Sequence, residues 1–423
     1  MRIGVGPFRS LRSHNYRLWA AGALVSNIGT WMQRTAQDWL VLTQLTHHSV
    51  SAVGVVMALQ FGPQLLLLPW TGSAADRFDQ RHLLMATQAT MGVLGLALGA
   101  LTVTGAVQLW HVYAFAFLSG GAAAFDAPVR QTFVSELVGD ENLPNAVALN
   151  STLINAAQMV GPAAAGLTIA AIGTGWAFVI DGASFGAVLA SLRLLRVNEL
   201  RHNARTRRAK GSFVEGLRYV RGRTDLRTIL LMLFLIGTFG MNFPIFTSAM
   251  AVKVFHADAR GFGLLSSVLA AGALSGSLVA AARRKIGFGT LLGGAGAFGL
   301  SCALAGLAPG YWLFAAALAA TGVSVLTFAN ATNSLMQLTT ESSMRGRVMA
   351  LRIAIALGCT PIGAPIVGWV ADAFGPRWAL GVGAASGFAA AVAAAVFLIR
   401  SSRLKAGLSV VQSSEGAKAN AQL

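Results

Sequence analysis

Arg34 and Asp38 fall four residues apart in GTWMQRTAQDWLVLTQLT, Gly29 to Thr46, inside a long apolar run, with Gln33 and Gln37 beside them. On a helix, positions i and i+4 share a face, so the two charges can pair there. A third ionisable residue, Asp181, sits in GWAFVIDGASFGAVLA. A charge in apolar surroundings is costly and is kept where it binds, couples or pairs. An acid that can exchange a proton beside a permanently charged arginine suits a proton relay or a charged-ligand site. A purely structural ion pair is the competing role for Arg34. Asp126 and Arg130 form a second pair with the same four-residue spacing.

The elements that must carry these residues are membrane-spanning helices. Of the 423 residues, 55% are hydrophobic and 11% charged, against roughly 25% charged in soluble domains. So few charges cannot coat soluble domains of this total length. Runs of about 20 apolar residues, enough to cross a bilayer core, are predicted at 18–42, 51–73, 82–104, 109–130, 145–171 and 175–196. After a basic stretch they resume at 228–250, 261–282, 287–307, 311–335, 347–372 and 377–399. The first run is too long for a signal peptide core and is expected to stay as a span. The fold class expected is therefore an all-α membrane protein with twelve transmembrane helices. The polar tail, 401–423, is expected to be disordered.

Charge fixes the expected orientation. The net charge is +17, and eleven of the 32 Lys and Arg residues lie between Arg193 and Arg227. Twelve spans place 28 of the 32 on the side of both termini and three, Lys253, Arg260 and Arg377, on the other. Cytoplasmic segments carry the excess of Lys and Arg, so both termini are expected in the cytoplasm. The same placement argues against nucleic acid as a partner, because the basic residues flank spans and serve as lipid anchors. Within the basic linker, 197–227, the segment Phe213 to Arg227 reads as an amphipathic helix on the membrane surface.

The two flanking blocks, 1–196 and 228–400, echo each other. VALNSTLINAAQMVGPAAAG from Val147 aligns without gaps to MALRIAIALGCTPIGAPIVG from Met349, an offset of 202 residues. The same offset relates Trp110 to Trp312, Gly173 to Gly375 and Trp176 to Trp378. Tryptophans at helix starts suit a membrane interface. Two six-helix repeats with a site between them are a transporter architecture.

The segment GSAADRFDQRH, Gly72 to His82, resembles the cytoplasmic loop signature of the major facilitator superfamily at Gly72, Asp76, Arg77 and Arg81. Asp79 and Gln80 depart from it, standing where the broad pattern has Gly and Arg. The segments Gly29 to Thr46, FDAPVRQTFVSELVG, LPNAVALNS and RGRVMAL together resemble the branch that includes the enterobactin exporter and macrolide efflux proteins. This resemblance spans roughly residues 8 to 400. It implies the twelve-helix major facilitator fold, alternating access, and a cavity lined by the first, fourth, seventh and tenth spans. It also implies that Gly72, Asp76, Arg77 and Arg81 form a cytoplasmic latch, which Asp126 and Arg130 are expected to join. The sixth span usually lies outside the cavity in this superfamily, so Asp181 is expected to pair structurally. Gly161, Pro162 and Gly166 resemble an antiporter signature, with Ala165 in place of its first closing glycine. Close helix packing explains the same three residues equally well.

In the second block, Asn242, Thr327, Asn330 and Asn333 are the polar groups available to a cavity, with Phe243 among its aromatic walls. Neutral polar points and aromatic surface suit an amphiphilic or aromatic ligand. No phosphate-binding loop, no zinc-protease motif and no metal-ligand spacing occurs. No cofactor, metal or catalytic residue is expected, and the chain is not expected to be an enzyme. The expected function is export of a small organic molecule, such as a siderophore or macrolide, by proton antiport. Protons and membrane lipids are the other expected partners. The expected protein is a monomer in the bacterial inner membrane. Proton-coupled uptake, or a lipid-handling or sensory role on the same scaffold, are the alternatives.

Overall fold

A computed structural model describes residues 8–139, 141–200, 213–282 and 287–420, without the side chains of 72–76, 213, 281–282 and 402–420. The described residues are helical, with no strand. The order is α1 (His14–Leu40), α2 (Val50–Leu66), α3 (Leu68–Arg77), α4 (Gln80–Val103), α5 (Leu109–Leu137), α6 (Leu143–Ile172) and α7 (Thr174–Arg193). It continues with α8 (Phe213–Gly222), α9 (Thr224–Leu235), α10 (Phe243–Ala249), α11 (Ala259–Ala282), α12 (Phe288–Leu307), α13 (Tyr311–Thr339), α14 (Arg345–Ala373) and α15 (Pro376–Asn420).

Ten of the described helical segments are long and apolar enough to cross a membrane, one of them running from Thr224 through to Val254. Two predicted spans fall short of that standard for visible reasons. α1 has the length, at 27 residues, but carries Gln33, Arg34, Gln37 and Asp38. α2 stops after 17 residues, where Leu67 joins it to α3 at a bend between Pro63 and Pro69. A proline ring removes a helix hydrogen bond and crowds the preceding turn. The Thr224–Val254 segment is also broken, at Met241 and Asn242 between π-helical turns. α15 runs on to Asn420, past Ser401 where composition predicts a disordered tail; no proline lies between them to stop it.

α1, α2 and α4–α7 pack into one bundle, and α9 with α11–α15 into another. The bundles meet along α2–α14 and α6–α11. Glycines allow these contacts. A Cβ on Gly54 would strike the Ala364 carbonyl, and one on Gly263 the Pro162 carbonyl. Toward the end far from the termini, Gly368 lies against Val50 and Ser51, and Gly166 against Ala259 and Arg260. Gly173 and Gly375 end α6 and precede α15 with φ of 97° and 101°, a region that favours glycine. Trp110, Trp176, Trp312 and Trp378 all stand exposed at helix starts on this distal end.

α8 is shorter than the predicted amphipathic helix. It ends at Gly222, and Thr224 opens α9. Arg223 makes the break by clasping both Asp225 oxygens at 3.0 and 2.7 Å and the Thr339 carbonyl at 3.0 Å. Leu217 and Val214 face outward, while Glu215 pairs with Arg347 of α14 at 3.1 Å.

Candidate functional site

A cavity of about 400 Å³ lies between the bundles, within the size range of sites for drug-sized ligands. α1 supplies Trp31, Arg34, Thr35, Gln37 and Asp38 to its wall. The facing wall holds Gly237, Phe243, Thr247, Phe262 and Val325. α2 and α6 add Gln60, Phe61 and Gln158, and α14 adds Thr360. Three of the four spans implied by resemblance therefore line it. The fourth, α5, does not. Gly120 of α5 packs on the Gln60 carbonyl, which leaves α2 between α5 and the cavity.

Arg34 and Asp38 both line the cavity, but no ion pair closes between them. The guanidinium instead lies over the Trp31 ring at 4.9 Å and the Phe61 ring at 5.9 Å. A cation over an aromatic face gains about 0.5–2 kcal/mol, which holds the side chain across the cavity wall. Arg34 remains within electrostatic reach of both Asp38 and Asp181. Asp38 is 8% exposed and has no hydrogen-bond partner among the described residues. Gln33 and Gln37 are occupied with each other through a side-chain hydrogen bond.

Asp181 lies behind α1, away from the cavity lining. Its carboxylate packs against Gly29 of α1 and Gly95 of α4, where a Cβ would leave 3.0 and 3.4 Å to its oxygens. Its Oδ1 is buried without a hydrogen bond. The arrangement is a line of charges: Asp38 at the cavity, Arg34 beside it, and Asp181 behind, in the seam of α1, α4 and α7.

The polar residues expected of the second bundle are differently placed. Phe243 is in the wall. Asn242 is fully buried at the break before α10 and donates Nδ2 to the Thr238 carbonyl at 2.7 Å. Thr327 turns to α11 and its own helix, donating to the Val323 and Gly276 carbonyls. Asn330 and Asn333 are half-buried further along α13, and Asn333 accepts from Gln337 at 3.4 Å. Thr327 lies off the face of α13 that meets the cavity, while Asn330 and Asn333 lie nearer the termini than the lining residues Gly322, Val325 and Leu326. The polar wall instead includes Gln60 and Gln158, each flanked in the chain by apolar residues, a signal that was present in the sequence.

The motif residues lie apart from the cavity. Gly72 and Asp76 fall in α3, with surroundings outside the described residues, and Arg77 is exposed. Arg81 donates Nε to the Leu192 carbonyl at 2.8 Å and so ties α4 to α7. Asp79, which departs from the signature, caps α4 by accepting from the His82 backbone N–H at 2.9 Å. Partial burial works against its ionised form, and this bond with the neighbouring imidazole outweighs it, holding the carboxyl below its ordinary value. Asp126 pairs with Arg130 at 2.9 Å and accepts from Thr87 and Gln88 at 3.0 and 2.7 Å. Arg130 reaches Asn27 at 3.0 Å. This knot joins α1, α4 and α5. Gly161 packs on Trp31 and Ile28 of α1, Gly166 on α11, and Pro162 lines the cavity.

Sequence reasoning passed over Asp372, which closes the distal end. Its carboxylate accepts from the Val50 and Ser51 backbone N–H groups at 2.9 and 2.8 Å and from Ser49 Oγ at 3.1 Å. Lys253 donates to it at 3.0 Å. A carboxylate from one bundle thus occupies the N-terminus of a helix in the other, where the helix dipole and free N–H groups favour an anion.

A central cavity between two helical bundles, with glycine-lined seams between them, defines a membrane transporter. The crystal structure of the nucleoside transporter NupG has the same fold, with a TM-score of 0.73 at 11% identity over 90% of this chain and 98% of that one. The profile of the transmembrane secretion effectors of the major facilitator superfamily matches residues 5–416, and the chain belongs to that family. It is a multi-pass membrane transporter and not an enzyme. Among curated relatives, the multidrug efflux pump Tap of Mycolicibacterium fortuitum is 28% identical over 84% of this chain and 88% of its own length. The enterobactin exporter of Escherichia coli is 27% identical over 85% of each. The staphyloferrin A transporter of Staphylococcus aureus is 27% identical over 60% of this chain, and the match spans 63% of that protein, less than two thirds.

Proposed function

We propose that the chain is a proton-coupled exporter of a small organic molecule, working by alternating access in the bacterial inner membrane. The observation that carries this reading is Asp38: a buried acid at a cavity wall, unpaired, beside a cation held on aromatic rings. Such a group can take a proton in one state and release it in another. The efflux relatives favour export over uptake.

In this reading twelve spans form two six-helix repeats, 1–196 and 228–400. The paired left-handed glycines and the two glycine seams, each related by 202 residues, support it. Both termini are cytoplasmic, so the closed distal end faces outward and the cavity opens inward. α8 lies on the cytoplasmic surface, and residues 201–212 of the basic linker lie outside the described residues. Gly72, Asp76, Arg77 and Arg81 form the cytoplasmic latch of the opposite, outward-open state. The working unit is a monomer.

The test is transport by purified protein in vesicles containing an internal pH dye. Replacing Asp38 with Asn is expected to abolish pH-dependent transport while substrate binding survives. Unchanged proton coupling in that variant would remove Asp38 from the role.

A further inference from the structure

We infer that Arg352, at the inner mouth of the cavity, holds an oxyanion of the transported molecule, so that the ligand is an amphiphile bearing a carboxylate or a like acid group. The inference rests on the cavity being a transport site, as read above, and specifies its ligand.

Arg352 stands on α14 one turn before Ala356 and two before Thr360, both of which line the cavity. Residues four apart share a helix face, so Arg352 continues the lining face toward the end where the termini lie. It is seven residues inside the start of α14 at Arg345, about 10 Å at 1.5 Å per residue. On α13, Asn330 and Asn333 lie beyond the lining residue Leu326 in the same direction. Asn333 is six residues inside the end of that helix at Thr339, about 9 Å at the same rise. The second bundle therefore brings a guanidinium and two amides to one depth, below an apolar and aromatic wall.

The arginine has no counter-charge among the described residues. Its side chain is half-buried, its Nε is out of contact with solvent, and it makes no hydrogen bond or ion pair there. The second bundle's acids with described side chains are committed elsewhere. Glu215 pairs with Arg347, Asp225 with Arg223 and Asp372 with Lys253. Asp258 caps α11 at the distal end, and Glu341 is exposed beyond the end of α13. Across the seam, α2 carries no Asp, Glu, Lys, Arg or His at all. Arg34 differs in this respect, because Asp38 and Asp181 both lie within its electrostatic reach.

A cation withdrawn from water without a partner is costly, and ionisable groups kept at membrane depth mark ligand pathways. The guanidinium presents its N–H groups as a planar fork that fits the two oxygens of a carboxylate, or those of a phosphate or sulfonate. Asn333 accepts from Gln337 through Oδ1, which leaves its N–H groups to donate. Above this mouth, Leu233, Leu326, Phe61 and Phe243 offer an apolar and aromatic surface to the body of the ligand. An acid head at Arg352 with an apolar body toward the cavity centre satisfies both parts. A neutral molecule of the same shape leaves the arginine as it was.

The test uses the full chain in phosphatidylcholine nanodiscs and two fluorescent probes with one body, dansylglycine as the acid and dansylglycinamide as its neutral counterpart. The acid is expected to bind at least about tenfold more tightly, the fold-change of one hydrogen bond to a charged group. In Arg352→Gln the ratio is expected to fall to about one, with the amide affinity showing that the cavity is intact. Arg352→Lys is expected to keep part of the preference, since it keeps the charge and loses the fork. Equal affinities in the unaltered protein, or no binding of the acid, would overturn the inference. So would a preference that survives Arg352→Gln and is lost in Arg34→Gln. A preference abolished by adding phosphatidylglycerol to the nanodiscs would give the arginine to a lipid headgroup and overturn it as well. Loss of proton-coupled flux with the acid preference intact would sink the exporter reading and leave this one standing.

Discussion

The two seams that close the distal end differ in one respect. Gly368 lies on the start of α2, and Gly166, 202 residues earlier, lies on the start of α11. Each glycine brings a helix end against backbone of the other bundle. At α2, Ser49 Oγ accepts from the Ala52 N–H within the helix, but the Val50 and Ser51 N–H groups are satisfied by Asp372 from the opposite bundle. At α11, Asp258 precedes the helix itself and accepts from Gly261 N–H at 2.9 Å. A cap within one helix does not depend on contact between the bundles. A cap supplied across the seam does. Close approach is therefore shared by both seams, whereas the electrostatic cost of opening is concentrated in one.

The comparison can be broken by sterics. Gly368→Leu places a side chain where a Cβ already meets the Val50 carbonyl at 2.9 Å. Overpacking of this kind costs about 1–3 kcal/mol, roughly ten- to hundredfold in the closed population. Gly166→Leu should cost a similar amount. Spin labels at His47 and Pro309, on opposite bundles, should report longer distances in both variants. An unchanged distance distribution would show that the seams do not govern closure.

Asp372→Asn sharpens the contrast, since it removes the charge and keeps the shape. Hydrogen bonds to charged groups contribute about 1.5–3 kcal/mol, so about tenfold more open protein is expected from the same labels. Asp258→Asn should leave the distances unchanged. Equal shifts in the two variants would refute the distinction between the seams.

Lys253→Gln should have the smallest effect. Its pair with Asp372 is about a quarter exposed on each side, and exposed pairs contribute under about 1 kcal/mol. The label distances should move by less than in Asp372→Asn. A larger shift would make the lysine, rather than the helix start, the principal partner of Asp372.

The same division governs what could be read ahead of the fold. Hydropathy marked the spans because apolar length is a property of contiguous residues. It missed the break at Met241 and Asn242, because the run from Thr224 to Val254 as a whole has the hydropathy of a continuous span. Arg34, Asp38 and Asp181 were conspicuous as charges among apolar residues. Their mutual arrangement was not, because one-turn spacing permits an ion pair that Trp31 and Phe61 draw Arg34 away from. Asp372 was invisible as a latch, since its partners at 49–51 lie more than 320 residues away.

By itself the sequence determined an all-helical membrane transporter, its basic linker, its repeated glycines and its few intramembrane charges. These follow from composition and local period, which neighbours in the chain set. Only the tertiary structure decided which charge meets the cavity, which lies behind it, and which bundle caps which helix. Those outcomes depend on side-chain direction and on contacts between distant helices, where a turn of 100° moves a residue from a cavity wall to a packed seam.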